Sequence, residues 1–217
     1  MIVVRGVTVA FRRTIALDAL DLSLEPGLTG IFGPNGAGKS TLLRVLAGLE
    51  RPARGRVELG PLADLQPEER RRRLSYAGHA SGLYGHLSLT ENLELFEILY
   101  GIEPGRRAEL VNALELAGHA HKPARELSAG LKRRAAVARA LLNDPEVLLL
   151  DEPYANVDDD AAEAISAAVQ GWWRPGRYGL VATHGAKKVK SYAHAGVILQ
   201  HGSVVRVGHY TEAGFRS

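Results

Sequence analysis

Cysteine is absent from this chain of 217 residues, which removes disulfides, thiolate catalysis and cysteine-bound zinc from consideration. Long hydrophobic runs are missing too. None approaches the roughly 18 residues that a membrane-spanning helix needs, so the chain is not expected to cross a bilayer on its own. The N-terminus, Met1-Ile2-Val3-Val4-Arg5-Gly6, has no charged head leading into a long apolar segment, so no secretory signal is expected. There is little excess charge of either sign: 27 Lys and Arg stand against 24 Asp and Glu, a net +3, too small to imply nucleic-acid binding. The dense basic run Arg70-Arg71-Arg72-Arg73 follows Glu68-Glu69 and reads as a solvated helix face with local acid–base pairing. What is present is an ordinary globular mix, 46% hydrophobic and 24% charged, at a length that suits one compact domain with an inserted subdomain.

The pattern along the chain is strand, loop, helix at both ends and helical between. Ile2 to Val9 and Ala19 to Leu24 read as strands, and Pro26-Gly27 breaks the second. Leu28-Thr29-Gly30-Ile31-Phe32 is a short apolar run of the buried-strand type, with a glycine-rich loop directly after it. Leu42, Leu43, Val45, Leu46 and Leu49 then fall at helical spacing. From about Leu74 to Leu142 the chain is expected to be mostly helical, with helices at Thr90–Leu99, Arg107–Ala117 and Leu131–Leu142. Val147-Leu148-Leu149-Leu150 and Gly179-Leu180-Val181-Ala182-Thr183 are continuous apolar runs, as expected of strands covered on both faces. A helix over Ala161–Val169 lies between them, and Val197 to Val207 reads as a hairpin turning at His201-Gly202. Strand–helix blocks around a helical middle imply an α/β sheet with an inserted helical subdomain.

Gly33-Pro34-Asn35-Gly36-Ala37-Gly38-Lys39-Ser40-Thr41 matches G-x-x-x-x-G-K-[ST] in full, in the required place between a strand and a helix. Glycines let the backbone curl so that its N–H groups point at phosphate oxygens, and the helix after the loop turns its N-terminal dipole to the same anion. Lys39 would reach the β- and γ-phosphates, and the Ser40 hydroxyl would serve Mg²⁺. Val147-Leu148-Leu149-Leu150-Asp151-Glu152-Pro153 supplies the acidic half. Asp151, at the tip of a buried strand, suits the metal, directly or through water. Glu152, one residue on, suits a general base that polarises an attacking water.

Together these motifs resemble the ATP-binding subunits of ABC transporters, over nearly the whole chain and in the right order. The family's signature appears as Leu127-Ser128-Ala129-Gly130-Leu131, placed so that Ser128 and Gly130 can offer a hydroxyl and N–H groups to a phosphate. In the family this segment completes the site of the opposite subunit, so the resemblance implies a head-to-tail homodimer with two ATPs at its interface. It also implies that His184 contacts the γ-phosphate and helps hold Glu152 and the water, that Asp158 is the aspartate of the loop after the strand, and that Phe11 stacks on adenine. His79, in Tyr76-Ala77-Gly78-His79, stands where the family has a glutamine that reaches the metal; an imidazole suits Mg²⁺ less well. The implied fold is a P-loop NTPase (RecA-like) core with an N-terminal antiparallel β subdomain and an inserted α-helical subdomain. It forms one ATP-binding domain over 1–217, with 1–74 and 143–217 as core and 75–142 as insertion. The implied activity is ATP hydrolysis with ATP and Mg²⁺, coupled to integral membrane subunits at the cytoplasmic face of a bacterial inner membrane, with no nucleic-acid partner.

Gly78-His79, together with Leu127-Ser128-Ala129-Gly130 followed by Arg133-Arg134, is most similar to the ATP-binding subunit of the cytochrome c maturation haem exporter. Other bacterial export ATPases share motifs this short. A soluble ABC ATPase acting on DNA or ribosomes, a module that closes on ATP without hydrolysing it and a small-molecule kinase are the remaining alternatives. The transported substrate is expected to be set by the membrane partner.

Overall fold

The computed structural model describes all residues except Arg13, Glu103, Pro104, Glu212, Ala213 and Ser217. The chain opens with two long strands, β1 (Ile2–Phe11) and β2 (Thr14–Leu24), then a short one, β3 (Gly27–Phe32), that runs through the phosphate loop into helix α1 (Lys39–Leu46). Next come β4 (Arg54–Leu59), the basic helix α2 (Pro67–Arg73) and β5 (Leu74–Ala77). The middle holds α3 (Leu89–Tyr100), α4 (Arg106–Ala113) and α5 (Ala129–Leu141). The chain ends with β6 (Val147–Asp151), α6 (Asp159–Trp172), β7 (Tyr178–Ala182), α7 (Ala186–Lys190), β8 (Ala195–Gln200), β9 (Ser203–Thr211) and β10 (Gly214–Arg216).

Two sheets result. β2-β1-β4 is antiparallel, and Leu20, Leu22 and Leu24 alternate inward along β2. The larger sheet has the order β10-β9-β8-β3-β7-β6-β5; β8, β3, β7, β6 and β5 run parallel, and β9 and β10 close one edge antiparallel. Every residue of β3, β6 and β7 is buried, the burial that an unbroken apolar run in a parallel sheet requires. One core lies between the two sheets and α1, around Ile31, Leu42, Leu43 and Leu46. A second core lies on the other face of the large sheet, where α3, α5 and α6 bring Leu93, Val137 and Ile165 onto Leu148 and Leu150. The parallel order puts the C-terminal ends of β3, β5, β6 and β7 at one edge, where an open α/β sheet binds ligands.

Three expectations need correction. Leu74–Ala77 is a strand and not part of the helical middle: its residues pair one by one with Val147–Leu150, so the change from sheet to helix comes after Ala77, beyond the boundary placed at 75. The helix expected over Arg107–Ala117 ends at Ala113, because Glu115 takes a left-handed backbone (φ 53°) and only a single 3-10 turn follows at Ala117–His119. The helix after the signature starts at Ala129 rather than Leu131, because Ser128 caps it. The hairpin turns at His201-Gly202, both with positive φ (50° and 78°), the pairing a two-residue hairpin loop demands.

Candidate active site

The phosphate loop owes its shape to glycine at two places. Gly33 has φ 146°, and a Cβ there would lie 2.2 Å from the Leu199 carbonyl oxygen. Gly38 has φ 102°, and a Cβ there would lie 2.6 Å from the Ala16 carbonyl oxygen. Any larger residue would therefore push the loop off β8 or β2. Asn35 and Gly36 stand exposed at the tip, and Thr41 lies half-buried in the first turn of α1. Gly38 is the N-cap of α1 and brings no side-chain cap, so the helix's first N–H groups stay available for an anion.

Lys39 is 6% exposed. Its ammonium donates to the Gly33 and Pro34 carbonyls at 2.8 and 3.1 Å and lies 3.9 Å from Glu152 Oε1. The Ser40 hydroxyl donates to Asp151 Oδ1 at 2.9 Å, and the Tyr76 hydroxyl donates to Oδ2 at 3.4 Å. Burial holds the Asp151 carboxyl above the ordinary carboxylate range; the Ser40 bond works against that shift, and the neighbouring Glu152 charge adds to it. Burial, with the Asp151 charge second, pushes the Tyr76 phenol up to about 12. The 2.9 Å between Ser40 Oγ and Asp151 Oδ1 matches adjacent oxygens on an octahedral cation with bonds of about 2.0–2.1 Å. Among the described residues, no group of three or more His, Cys, Asp and Glu could hold a metal. A cation at this pair would thus take its remaining ligands from water and phosphate, which is the habit of Mg²⁺.

Glu152 follows the strand end in a strained backbone, φ 51°. That turn aims its carboxylate at the end of β7. Oε1 accepts the His184 backbone N–H at 3.0 Å, and Oε2 accepts the Thr183 hydroxyl at 3.1 Å. His184 Nδ1 lies 3.0 Å from Oε2. A carboxylate can only accept, so this bond puts the proton on Nδ1 and leaves Nε2 as the free face of an imidazole that is 64% exposed.

Lys39, Ser40, Asp151, Glu152 and His184 thus come together at one sheet edge. His79 is exposed after β5 and opens onto the same groove, about 1070 Å³, as Ser40 and Asp151. Ser128, Gly130 and Asp158 stand outside this cluster. Ser128 caps α5, its hydroxyl accepting the Leu131 N–H at 3.2 Å, and Asp158 caps α6, accepting the Ala161 N–H at 2.8 Å. Gly130 abuts the loop after Glu152: a Cβ there would sit 3.2 Å from the Asn156 carbonyl oxygen. Phe11, 45% exposed at the end of β1, pairs with Thr14, two residues before the Ala16 carbonyl that borders Gly38. Tyr76 and Thr183 were not singled out by the sequence. Thr183 had a signal, as a polar residue between an apolar run and His184; Tyr76 had none, because its role depends on β5 lying beside β6.

Comparison with known proteins identifies the family. The family model described as ABC transporter matches residues 17–155. The probable sulfate/thiosulfate import ATP-binding protein CysA of Chlorella vulgaris is 33% identical, over 97% of this chain and 92% of its own length. The cytochrome c biogenesis ATP-binding export protein CcmA of Cupriavidus necator is 40% identical, over 78% of this chain and 77% of its own length. A dimeric ATP-binding cassette solved in a post-hydrolysis state, bound to ADP and Pi, superposes with a TM-score of 0.85 at 27% identity, covering 96% of this chain and 98% of that one. An import protein and an export protein thus both lie within reach of this sequence. The chain belongs to the ABC transporter family, as one of its ATP-binding, ATP-hydrolysing domains.

Proposed function

We propose that the chain powers a membrane exporter of the haem and cytochrome c biogenesis type, working as a head-to-tail homodimer with two ATPs at its interface. The observation that carries the hydrolytic part is the Glu152 carboxylate, held by Thr183 and His184 and set 3.9 Å from the Lys39 ammonium that would meet the γ-phosphate. On ATP entry Lys39 exchanges the Gly33 and Pro34 carbonyls for phosphate oxygens, while N–H groups of the loop and of α1 line the anion. Phe11 stacks on adenine. Ser40 and Asp151 would hold Mg²⁺, which would offset phosphate charge, and His79 faces the same groove. Glu152 takes a proton from the attacking water as its oxygen bonds to the γ-phosphorus, and the bond to the ADP oxygen breaks, giving ADP and phosphate. His184 keeps Glu152 oriented through Nδ1–H and turns Nε2 to the phosphate.

Ser128, Gly130 and Asp158 serve the nucleotide of the second copy. The γ-phosphate contacts both halves, so binding closes the pair and hydrolysis releases it. Residues 78–142 carry that motion to integral membrane subunits at the cytoplasmic face of the membrane, and nucleic acid has no part in it. Among the described residues, no helix is long and apolar enough to cross a membrane, which fits a chain that relies on a partner for the transport path. The haem assignment is favoured by Gly78-His79 and Arg133-Arg134 and by the 40% identity to the cytochrome c biogenesis relative.

The test is affinity capture of tagged Glu152→Gln protein from its native membranes in ATP and detergent, with mass spectrometry of the captured proteins and haem absorbance. A membrane subunit carrying haem is the expected result. A membrane subunit without haem keeps the transporter reading and overturns the haem assignment. Ribosomes or DNA without a membrane protein overturn both.

A further inference from the structure

Arg133 is a buried cation that the proposed mechanism does not use. It lies one turn into α5, the helix that Ser128 caps and that begins with Ala129 and Gly130, and it is 7% exposed. Its guanidinium leaves the helix toward the sheet edge. Nη1 donates to the Gly78 carbonyl at 2.8 Å and, at 3.4 Å, to the Asp151 carbonyl. The Asp151 carbonyl ends β6 and the Gly78 carbonyl lies one residue past the end of β5, so each stands just before a loop residue, Glu152 and His79. Burial pulls the guanidinium below its ordinary range, and the charges of Asp151 and then Glu152 hold it up.

A buried guanidinium is costly unless its donors and charge are matched, so it is firmly fixed where it is matched. Here one nitrogen ties together the starts of both loops that flank the Ser40–Asp151 pair. The peptide that begins with the Asp151 carbonyl is the one whose far side sets the strained φ of Glu152. Near its start, α5 also touches the loop after Glu152 through Gly130 and the Asn156 carbonyl. A shift of α5 therefore either carries the Gly78 and Asp151 carbonyls with it or breaks their bonds.

We infer that Arg133 is a positioning residue for hydrolysis: it seats Glu152 and the loop at His79 against α5, so that the carboxylate is correctly aimed only when α5 is in place. This rests on the proposed role of Glu152 as the base.

The test compares Arg133→Met, Arg133→Lys and Glu152→Gln with the parent, measuring kcat, KM, the Kd of a fluorescent ATP analogue and Tm. Methionine keeps the stem and removes the donors. Its kcat is expected to fall at least tenfold while nucleotide Kd and Tm stay close to parent values, because Lys39 and the phosphate loop are untouched. Lysine can give N–H groups to the same carbonyls, so R133K is expected to recover most of the lost kcat. If R133M does not fold, Arg133→Gln takes its place with the same expectation. Parent kcat in R133M overturns the inference, and so does a kcat loss that follows Tm or Kd and is not rescued by lysine. Parent kcat in E152Q overturns the reading of Glu152 and this inference with it; an inactive E152Q beside a fully active R133M overturns the inference alone.

Discussion

Lys39 is nearly out of water yet satisfied by two carbonyls of its own loop, so the chain without nucleotide pays little for keeping a cation there. Phosphate competes with those carbonyls and wins because it brings charge as well as acceptors. Lys39→Ala removes the charge and leaves the loop backbone in place. A charge-assisted hydrogen bond in such a site contributes about 1.5–3 kcal/mol, so K39A is expected to bind ATP roughly 10–150-fold more weakly. Titration calorimetry of K39A with ATP and Mg²⁺ checks this, and unchanged affinity would count against Lys39 as the phosphate ligand. His184 works differently. Its backbone N–H and Nδ1 both meet the Glu152 carboxylate, so it orients a carboxylate as well as presenting Nε2.

At the scale of elements, what joins the helical middle to the core is partly ionic. Asp144, in the turn between α5 and β6, accepts from Arg106 on α4 at 2.8 Å and from both terminal nitrogens of Arg177, just before β7, at 2.8 and 2.6 Å. These bonds, the Arg177 bond first, hold the Asp144 carboxyl below its ordinary value of 3.8. A lowered folded-state pKa means a stabilisation that is present above pH 3.8 and is lost as the pH falls through the lower folded value. Asp144→Asn keeps the left-handed backbone (φ 48°), which asparagine tolerates, and removes only the charge. With Asp144 43% exposed, water screens the pairs, and the expected cost at pH 7 is about 1 kcal/mol. Urea denaturation of D144N and parent should show that gap at pH 7 and pH 5 and a narrowing gap toward pH 3; a gap that widens in acid would overturn the assignment. The same scale separates what the sequence carries from what it does not. β3, β6 and β7 were legible because a strand buried on both faces is an unbroken apolar run. The phosphate loop was legible because close backbone contact admits only glycine at Gly33 and Gly38, at the spacing the motif requires. β4 and β5 were not: Arg54-Gly55-Arg56 looks like a polar turn, and Leu74–Ala77 is four residues whose strand character comes from pairing with β6. Arg133 was visible as part of a basic pair, yet its burial depends on where α5 packs.

For the whole molecule, the proposed pairing makes each nucleotide site a joint product of two chains. The phosphate loop tip is exposed, and Ser128 is exposed at the head of α5, outside the Lys39–Asp151–Glu152 cluster. A second copy related by a two-fold axis can supply Ser128 and Gly130 to the first and receive the same in return, which is how a closed isologous pair forms. The free energy that holds the pair then comes from nucleotide contacts, so assembly should follow the phosphate state. Glu152→Gln keeps the size of the side chain and a carbonyl oxygen toward Thr183 and His184, and it removes the base. Hydrolysis should stop while ATP binding survives, and the closed pair should accumulate. Light scattering on a sizing column is expected to give E152Q twice the chain mass of 23.4 kDa in ATP and Mg²⁺, and a single chain mass in ADP. K39A in the same buffer should remain monomeric, because the bridge lacks its phosphate anchor. A monomeric E152Q at saturating ATP would remove the head-to-tail pair from the mechanism, whereas dimers in ADP as strong as in ATP would mean that surface contacts, and not the γ-phosphate, hold the two copies together.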